Sequence, residues 1–433
     1  MFLFSFKPRR ACAGALLGLS LWSVGTAGSA QGPSTPAPAP AAVNVTEASP
    51  PTLRQALDAA WALCPQSRAA PQRLAELQAR QQAAQSLIAG APTVTLAHRT
   101  DQVNANGGLR EYEAELALPL WNPGVRASTQ RQIAAERAAF EPQRALARLK
   151  LAGELRELAA GVMLARIEQD LAVRKHDETQ RLAQDVQRRV RAGDTARVDA
   201  LQAQAAAQQA ESARVQADGS LLKLQGQWRA LTGLSGVPVL AEAAETAAPT
   251  PTPNAASDNH PALQAAQALT QSAQARLALA QTDQRDPMEL ALGIGHERSA
   301  FGASADTSLR VALRIPLGGE NRNAPKIAAA RADLDAAQAE ADAATRQVQA
   351  DQAIATAALA TARRSEALAT VRARLSTEVH ALITRSYQLG EGDLPTRLRA
   401  ENDKFDADLS LARARIDVQR AISQLHQALG LLP

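Results

Sequence analysis

Thr-Ser-Leu-Arg-Val-Ala-Leu-Arg-Ile-Pro-Leu-Gly-Gly, residues Thr307 to Gly319, sets the architecture of this chain. Leu309, Val311, Leu313 and Ile315 alternate with Ser308, Arg310, Ala312 and Arg314, a period of two that gives a strand one apolar and one wet face. An earlier stretch repeats the pattern: from Leu109 to Leu120, Tyr112, Ala114, Leu116 and Leu118 oppose Glu111, Glu113, Glu115 and Ala117. Both strands run into a proline and then into a long alanine-rich segment. A shared chain offset shows that these are copies, because Pro119 and Pro316 stand 197 residues apart, as do Gly193 and Gly390, and Gly233 and Gly430. An internal duplication covering nearly the whole chain follows, with one structural unit per half.

Met1 to Ala30 has the build of a secretory signal peptide: Lys7, Arg9 and Arg10, an apolar run from about Ala11 to Val24, and Gly-Ser-Ala before Gln31. The apolar run is short for a transmembrane anchor. Cys12 precedes that run, which is the wrong place for a lipoprotein's acylated cysteine, so export without lipidation is expected. Removing the leader lowers the formal charge from +4 to about +1, which gives nucleic-acid binding no support. Cys64 is then the one remaining cysteine, so no internal disulfide framework is possible, and a small buried residue beside a helix-start proline explains it better than a reactive thiol. Residues 31–50 and 237–259, rich in Pro, Ala, Ser and Thr, read as linkers, leaving 51–236 and 260–433 as the two repeats.

Within each repeat the expected order is helix, strand, strand, long helix, turn, helix. Gln66 to Ala91 and Ala262 to Asp286 are the first helices; Thr93 to Val103 with Leu109 to Leu120, and Met288 to Glu297 with Thr307 to Ile315, are the hairpins. The long helices start near Pro123-Gly124 and Ala324-Pro325 and run to Arg191 and Leu389, with a kink expected near Pro142. Each would span on the order of 100 Å. The 26 residues of the first helix plus the 38 that follow the first tip nearly equal the 66 of the long one, so two shorter helices laid end to end can pair along it. Aromatic residues are only 3% of the chain, which argues against a broad globular core and for close contact between small-residue helices.

The duplicated halves, the leader, Pro-Leu-Trp-Asn-Pro-Gly-Val-Arg at 119–126, Pro-Leu-Gly-Gly at 316–319, Arg-Ala-Gly-Asp at 191–194 and Leu-Gly-Glu-Gly-Asp-Leu at 389–394 together resemble the TolC-type outer-membrane efflux duct family. The resemblance implies a mainly α fold with a small β part: a homotrimer whose four strands per chain close a 12-stranded outer-membrane β-barrel, continuous with a trimeric α-helical barrel. It also implies a passive, non-enzymatic duct in the outer membrane of a Gram-negative bacterium, with a large periplasmic portion. Its partners would be a periplasmic adaptor protein and an inner-membrane resistance-nodulation-division pump. Leu309, Val311, Leu313, Ile315, Leu116, Leu118, Leu290 and Leu292 would then face lipid, and Glu111, Glu113, Glu115, Glu289, Arg310 and Arg314 would line the lumen. Ala192, Gly193, Asp194, Thr195, Leu389, Gly390, Glu391 and Gly392 would form the adaptor-docking tips, for which helix capping by the glycines is the plainer alternative.

Tyr387 to Asp393 and Arg397 to Glu401 look most like the branch serving heavy-metal pumps, which makes divalent metal cations the expected cargo, with drugs or secreted proteins as alternatives. The chain departs from the best-known members, which carry aspartates six and nine residues beyond the second tip glycine, where Thr396 and Arg399 stand here. Glu391 and Asp393 are close enough to charge the periplasmic entrance, though acids at a tip are commonly only solvated. A periplasmic helical-hairpin adaptor is a further alternative, disfavoured by two duplicated strand hairpins. The six histidines, His98, His176, His260, His296, His380 and His426, lack paired ligand spacing, with His98 and His296 in matching strands as surface or lumen residues, and no phosphate loop or serine elbow is present. No cofactor or metal site is expected.

Overall fold

In the computed structural model, which describes residues 51–103, 105–238 and 259–433, helices dominate and four strands form one sheet. The leader and both linkers read from the sequence lie almost wholly outside the described residues. The chain opens with α1 (Leu53–Leu63), entered through a capping box: Thr52 Oγ1 accepts from Gln55 N, and Gln55 Oε1 accepts from Thr52 N. Helix α2 (Pro65–Gln85) follows, with proline in its first turn. Then come β1 (Thr93–Thr100), β2 (Arg110–Leu120), α3 (Val125–Ala192), α4 (Arg197–Thr232), α5 (Pro261–Thr282), β3 (Met288–Arg298), β4 (Asp306–Arg314), α6 (Glu320–Gln388) and α7 (Leu394–Ala428). The element order α2-β1-β2-α3-α4 is matched by α5-β3-β4-α6-α7.

Three sequence expectations shift. Helix α2 ends at Gln85 rather than Ala91, because Ser86 turns the chain out: its hydroxyl donates to Ile88 O and accepts from Ile88 N. The separate amphipathic α1 precedes α2 and buries Leu53, Leu57 and Trp61. Helix α6 begins at Glu320, which places Pro325 in its second turn; α6 runs on through Pro325, and α3 through Pro142.

Helices α3 and α6, of 68 and 69 residues, are each on the order of 100 Å long. Across the chain the packing order runs α4 and α2, then α3, then α7 and α5, then α6. The shorter helices stack end to end along the long ones. A Cβ on Gly430, past α7, would meet Pro261 at the start of α5, and one on Gly233, past α4, would touch Leu63 of α1. The largest core lies beside this second joint, where Trp228 is fully buried with Leu57, Leu155 and Val162 and donates from Nε1 to Gly236 O at 2.8 Å.

The sheet order is β1-β2-β3-β4, all antiparallel. Register settles both faces. Glu113 pairs with Gly295 and that with Ser308; Glu115 pairs with Gly293 and that with Arg310, so every carboxylate and arginine assigned to the wet face shares one side. Leu116, Leu292 and Val311 share the other. Both β1 and β4 are edges with one side unpaired.

Glu136 of α3 ties the two repeats. It is 2.7 Å from Arg80 of α2 and 3.3 Å from Arg276 of α5, and it accepts from Gln132. Burial pushes its pKa up, but the Gln132 hydrogen bond and the two guanidiniums outweigh that and hold it below the ordinary value. A depressed folded pKa contributes stability above the unfolded pKa that is lost as pH falls through the folded one. Both arginines are well exposed, so Glu136→Gln should cost only about 1 kcal/mol at pH 7 in denaturation, and the deficit relative to wild type should shrink on acidification toward pH 3.

Candidate functional site

The wet face of the sheet carries a lattice of charges that reach across strands. Arg310 of β4 contacts Glu113 of β2 at 3.1 Å, and Arg314 of β4 contacts Glu115 of β2 at 3.0 Å and Glu289 of β3 at 3.4 Å. A side chain on β4 cannot ordinarily reach past β3 to β2, and Gly293 and Gly295 make it possible by leaving the intervening positions without side chains. Glu111 is 3.8 Å from Arg99 of β1 on the same face. Glu297 and Asp306 also point this way by register, giving an excess of carboxylates over arginines. The six wet-face residues read from the sequence thus stand together. One row differs from its neighbours: Ala117 and Ala291 are buried and Ala312 half-buried beneath the charges.

The opposite face is aliphatic along most of its height, with Leu96, Leu309, Val311 and Leu313 all more than half exposed in the isolated subunit. His98 and His296 belong to this apolar face, not to the lumen side, since they share a row with Tyr112 and Thr307. Among the described residues no helix is long and apolar enough to cross a membrane, and this sheet face is an extended apolar surface.

At the far end of the long helices the chain reverses twice in the same way. At the first tip Asp194 N donates to Arg189 O and Gly193 N to Val190 O; at the second Glu391 N donates to Ser386 O and Gly390 N to Tyr387 O. Both are Schellman closures. Gly193 and Gly390 have φ of 85° and 81°, and a Cβ on either would meet nothing within 4 Å, so left-handed backbone alone requires glycine there. Ala192, Gly193, Asp194, Leu389, Gly390, Glu391 and Gly392 are exposed and Thr195 half-exposed, with Leu389 67% exposed as an apolar knob. Asp393 caps α7 by accepting from Thr396 N at 3.0 Å, and hydrogen bonding to Thr396 lowers its pKa, with Arg399 adding to the effect. Its carboxylate is therefore engaged in holding the turn. Thr396 and Arg399 are exposed on the first turns of α7.

Two features near the tips escaped the sequence reading. Tyr387 is buried between Arg189 of α3, 5.3 Å from its ring centroid, and Arg397 of α7 at 4.9 Å, so one ring joins three helices. Glu401, 3% exposed, has an Oε1 with no hydrogen-bond partner among the described residues. Burial first and Glu178 second raise its pKa, against the pull of Arg397, Lys175 and Lys404. Nothing in spacing alone separates a buried glutamate from a solvated one on so polar a helix. Among the described residues no group of three or more His, Cys, Asp or Glu is placed to hold a metal ion.

Residues 252–431, which take in α5 through α7, match the family model described as outer membrane efflux protein. A search of curated protein sequences returns no match. Among solved structures, the Campylobacter jejuni CmeC outer membrane channel aligns with a TM-score of 0.73 at 14% identity, over 87% of this chain and 85% of its own. A membrane protein from Pseudomonas aeruginosa aligns at 0.71 and 20% identity, over 88% and 90%. The open state of the Neisseria gonorrhoeae MtrE outer membrane channel aligns at 0.70 and 18%, over 88% and 89%. The fold of this chain is that of these solved outer membrane channels, and residues 252–431 are similar in sequence to the outer membrane efflux proteins.

Gly390→Ala should cost about 1 kcal/mol locally through the left-handed backbone. By hydrogen exchange, amides of residues 380–398 should open faster while β1 to β4 keep wild-type protection; unchanged exchange at the tip would contradict the strain assigned to that turn.

Proposed function

We propose that this chain is the outer-membrane exit duct of a tripartite efflux system, three copies closing one barrel and one tunnel through which cargo passes without chemistry. The observation that carries the reading is the pair of open edges. Strand β1 and helices α2 and α4 border one side of the subunit, and β4 and α6 border the other. Each side also bears an unpartnered apolar stripe: Val198, Leu201, Val215 and Leu222 on α4, and Leu368, Leu375 and Leu382 at seven-residue spacing on α6. Two different surfaces that fit each other generate a ring when the rotation closes. Three subunits of four strands supply twelve, and strands of about ten residues tilted some 40° cover roughly the 25 Å apolar band of an outer membrane.

In this reading the apolar face meets lipid and the charge lattice lines the pore. The tips formed by Ala192 to Thr195 and Leu389 to Gly392 meet a periplasmic adaptor, which couples the duct to an inner-membrane pump. The protein resides in the outer membrane with its helices in the periplasm, and residues 1–30 are the cleaved, unlipidated leader. We infer divalent heavy-metal cations as the cargo: the carboxylate excess on the wet face favours cations, and the resemblance of 387–401 to the metal-exporting branch points the same way. Drugs or secreted proteins are the alternative cargoes.

Leu313→Arg puts a charge on the lipid face and should cost about 2–4 kcal/mol near the bilayer midplane. The control is Ser308→Arg, on the exposed wet face; Ala312 is unsuitable because its row is packed under the charge lattice. Purified from outer membranes and weighed by native mass spectrometry, wild type and Ser308→Arg should be trimers and Leu313→Arg largely absent from that fraction. Equal trimer yields, or a water-soluble monomer for wild type, would contradict the assignment. In cells made metal-sensitive by loss of the duct, wild type should restore tolerance and Gly390→Trp, though trimeric, should not.

A further inference from the structure

From the helix junction outward, the apolar face of the sheet changes character in register. The rows through Leu120, Leu118, Leu116 and Ala114 of β2 are aliphatic on every strand they cross, including Met288, Leu290, Leu292 and Ile294 of β3. The next row crosses all four strands as His98, Tyr112, His296 and Thr307, and the one beyond it holds Thr100, Arg110 and Arg298. Of all the strand residues on this face, Arg110 and Arg298 are the only formally charged ones, and both lie at the end nearest the two hairpin turns. Ten residues of strand separate Leu120 from Arg110, which at about 3.3 Å each and some 40° of tilt is roughly 25 Å of height, the outer limit of the apolar band.

These side chains are set in place. His98 stacks on Tyr112 with ring centroids 4.4 Å apart, and its Nδ1 lies 3.0 Å from Glu111 O; His296 Nδ1 lies 3.1 Å from Thr307 Oγ1. Arg110 Nη1 donates to Thr100 Oγ1 at 2.6 Å and to Leu109 O, and lies 3.5 Å from Asp101 Oδ1. Arg298 donates from Nε to Gly108 O at 3.3 Å, and its guanidinium carbon is 5.8 Å from the centre of the Phe301 ring. Among the described residues no carboxylate lies within ion-pair distance of Arg298. Its charge is therefore held at the outer edge of an apolar wall without a counter-ion. A groove of about 620 Å³ runs just below, between the His98–Tyr112 stack and His296.

We propose that this rim binds the phosphorylated glycolipid of the outer leaflet, the acyl chains lying on the aliphatic rows, the sugar against the Tyr112 and imidazole row, and a phosphate on Arg298 with Arg110 beside it. The order of chemistries matches such a lipid from tail to headgroup, and guanidinium is the side chain best suited to phosphate. On the strands of this face the cations stand only at the turn end, away from the helices, which in that placement is the outer leaflet. The inference rests on the outer-membrane placement above, and three copies would give three equivalent sites around the barrel.

The test uses the full-length trimer, delipidated in detergent and offered in turn hexa-acylated lipid A with both phosphates, the same lipid dephosphorylated, and phosphatidylglycerol, with bound lipid read by native mass spectrometry. Wild type should retain diphosphorylated lipid A about tenfold more than either comparison lipid, and Arg298→Gln should lose about that factor while Arg298→Lys keeps most of it. Equal retention of the dephosphorylated lipid or by Arg298→Gln would overturn the proposal, and so would equal retention of phosphatidylglycerol. Trimer mass and circular dichroism, read in the same samples, separate a failed lipid site from a failed duct assignment: a wild type that is trimeric yet indifferent to phosphate contradicts only the former. Should Arg298→Gln not assemble, His296→Ala in the adjoining row provides the second variant, with a smaller loss expected and unchanged retention counting against the site.

Discussion

The unpaired backbone along β1 and β4 is the constraint on which the rest of this structure depends. Water can satisfy those groups in a soluble protein, but within hydrocarbon each orphan amide or carbonyl costs several kcal/mol, and only closure removes both edges at once. In the proposed outer-membrane placement, the apolar face puts the sheet where that penalty applies. Four strands cannot close alone, so in that placement a single chain is incomplete, and the helices below repeat the pattern with a stripe left bare on α4 and another on α6.

Long helices solve a related problem. In the proposed duct, a tunnel wall must be uniform over a great length, yet each repeat contributes only one unbroken helix of that length. Stacking α7 on α5, and α4 on the α1–α2 junction, supplies a second wall strut at each position, with Gly430 allowing α7 and α5 to approach and Gly233 ending α4 in a left-handed turn. Alanine along the contacts lets the struts lie close, and the few large side chains are saved for the joints, as Trp228 and Trp61 are. Arg156 of α3 reinforces the other joint, donating to Gln427 Oε1 at 2.6 Å and to Leu431 O at 3.0 Å just beyond α7.

Much of this was legible in the sequence because it rests on periodicity. Alternation around Leu313 and Leu116 assigned both sheet faces, and the constant offset between Gly193 and Gly390 located two equivalent turns whose left-handed backbone the structure shows. What escaped depended on neighbours distant in the chain. The role of Gly293 and Gly295 as gaps in β3 between the arginines of β4 and the glutamates of β2 needs the register of three strands. The arginine-flanked ring of Tyr387 needs three helices to converge, and the placement of His296 needs its row. Helix α1 was missed for a local reason: the Cys64–Pro65 step breaks it from α2 after only 11 residues.

Disulfide formation between the sheet edges of neighbouring copies tests ring closure most directly. Cysteines would be introduced singly and in pairs at Val94, Leu96 or His98 of β1 and at Leu309, Val311 or Leu313 of β4, in chains with Cys64→Ser, and oxidised in isolated membranes. Closure head to tail predicts that at least one pair yields a covalent trimer while every single-cysteine chain stays uncrosslinked. Dimers from single-cysteine chains, or no crosslink from any pair, would contradict it.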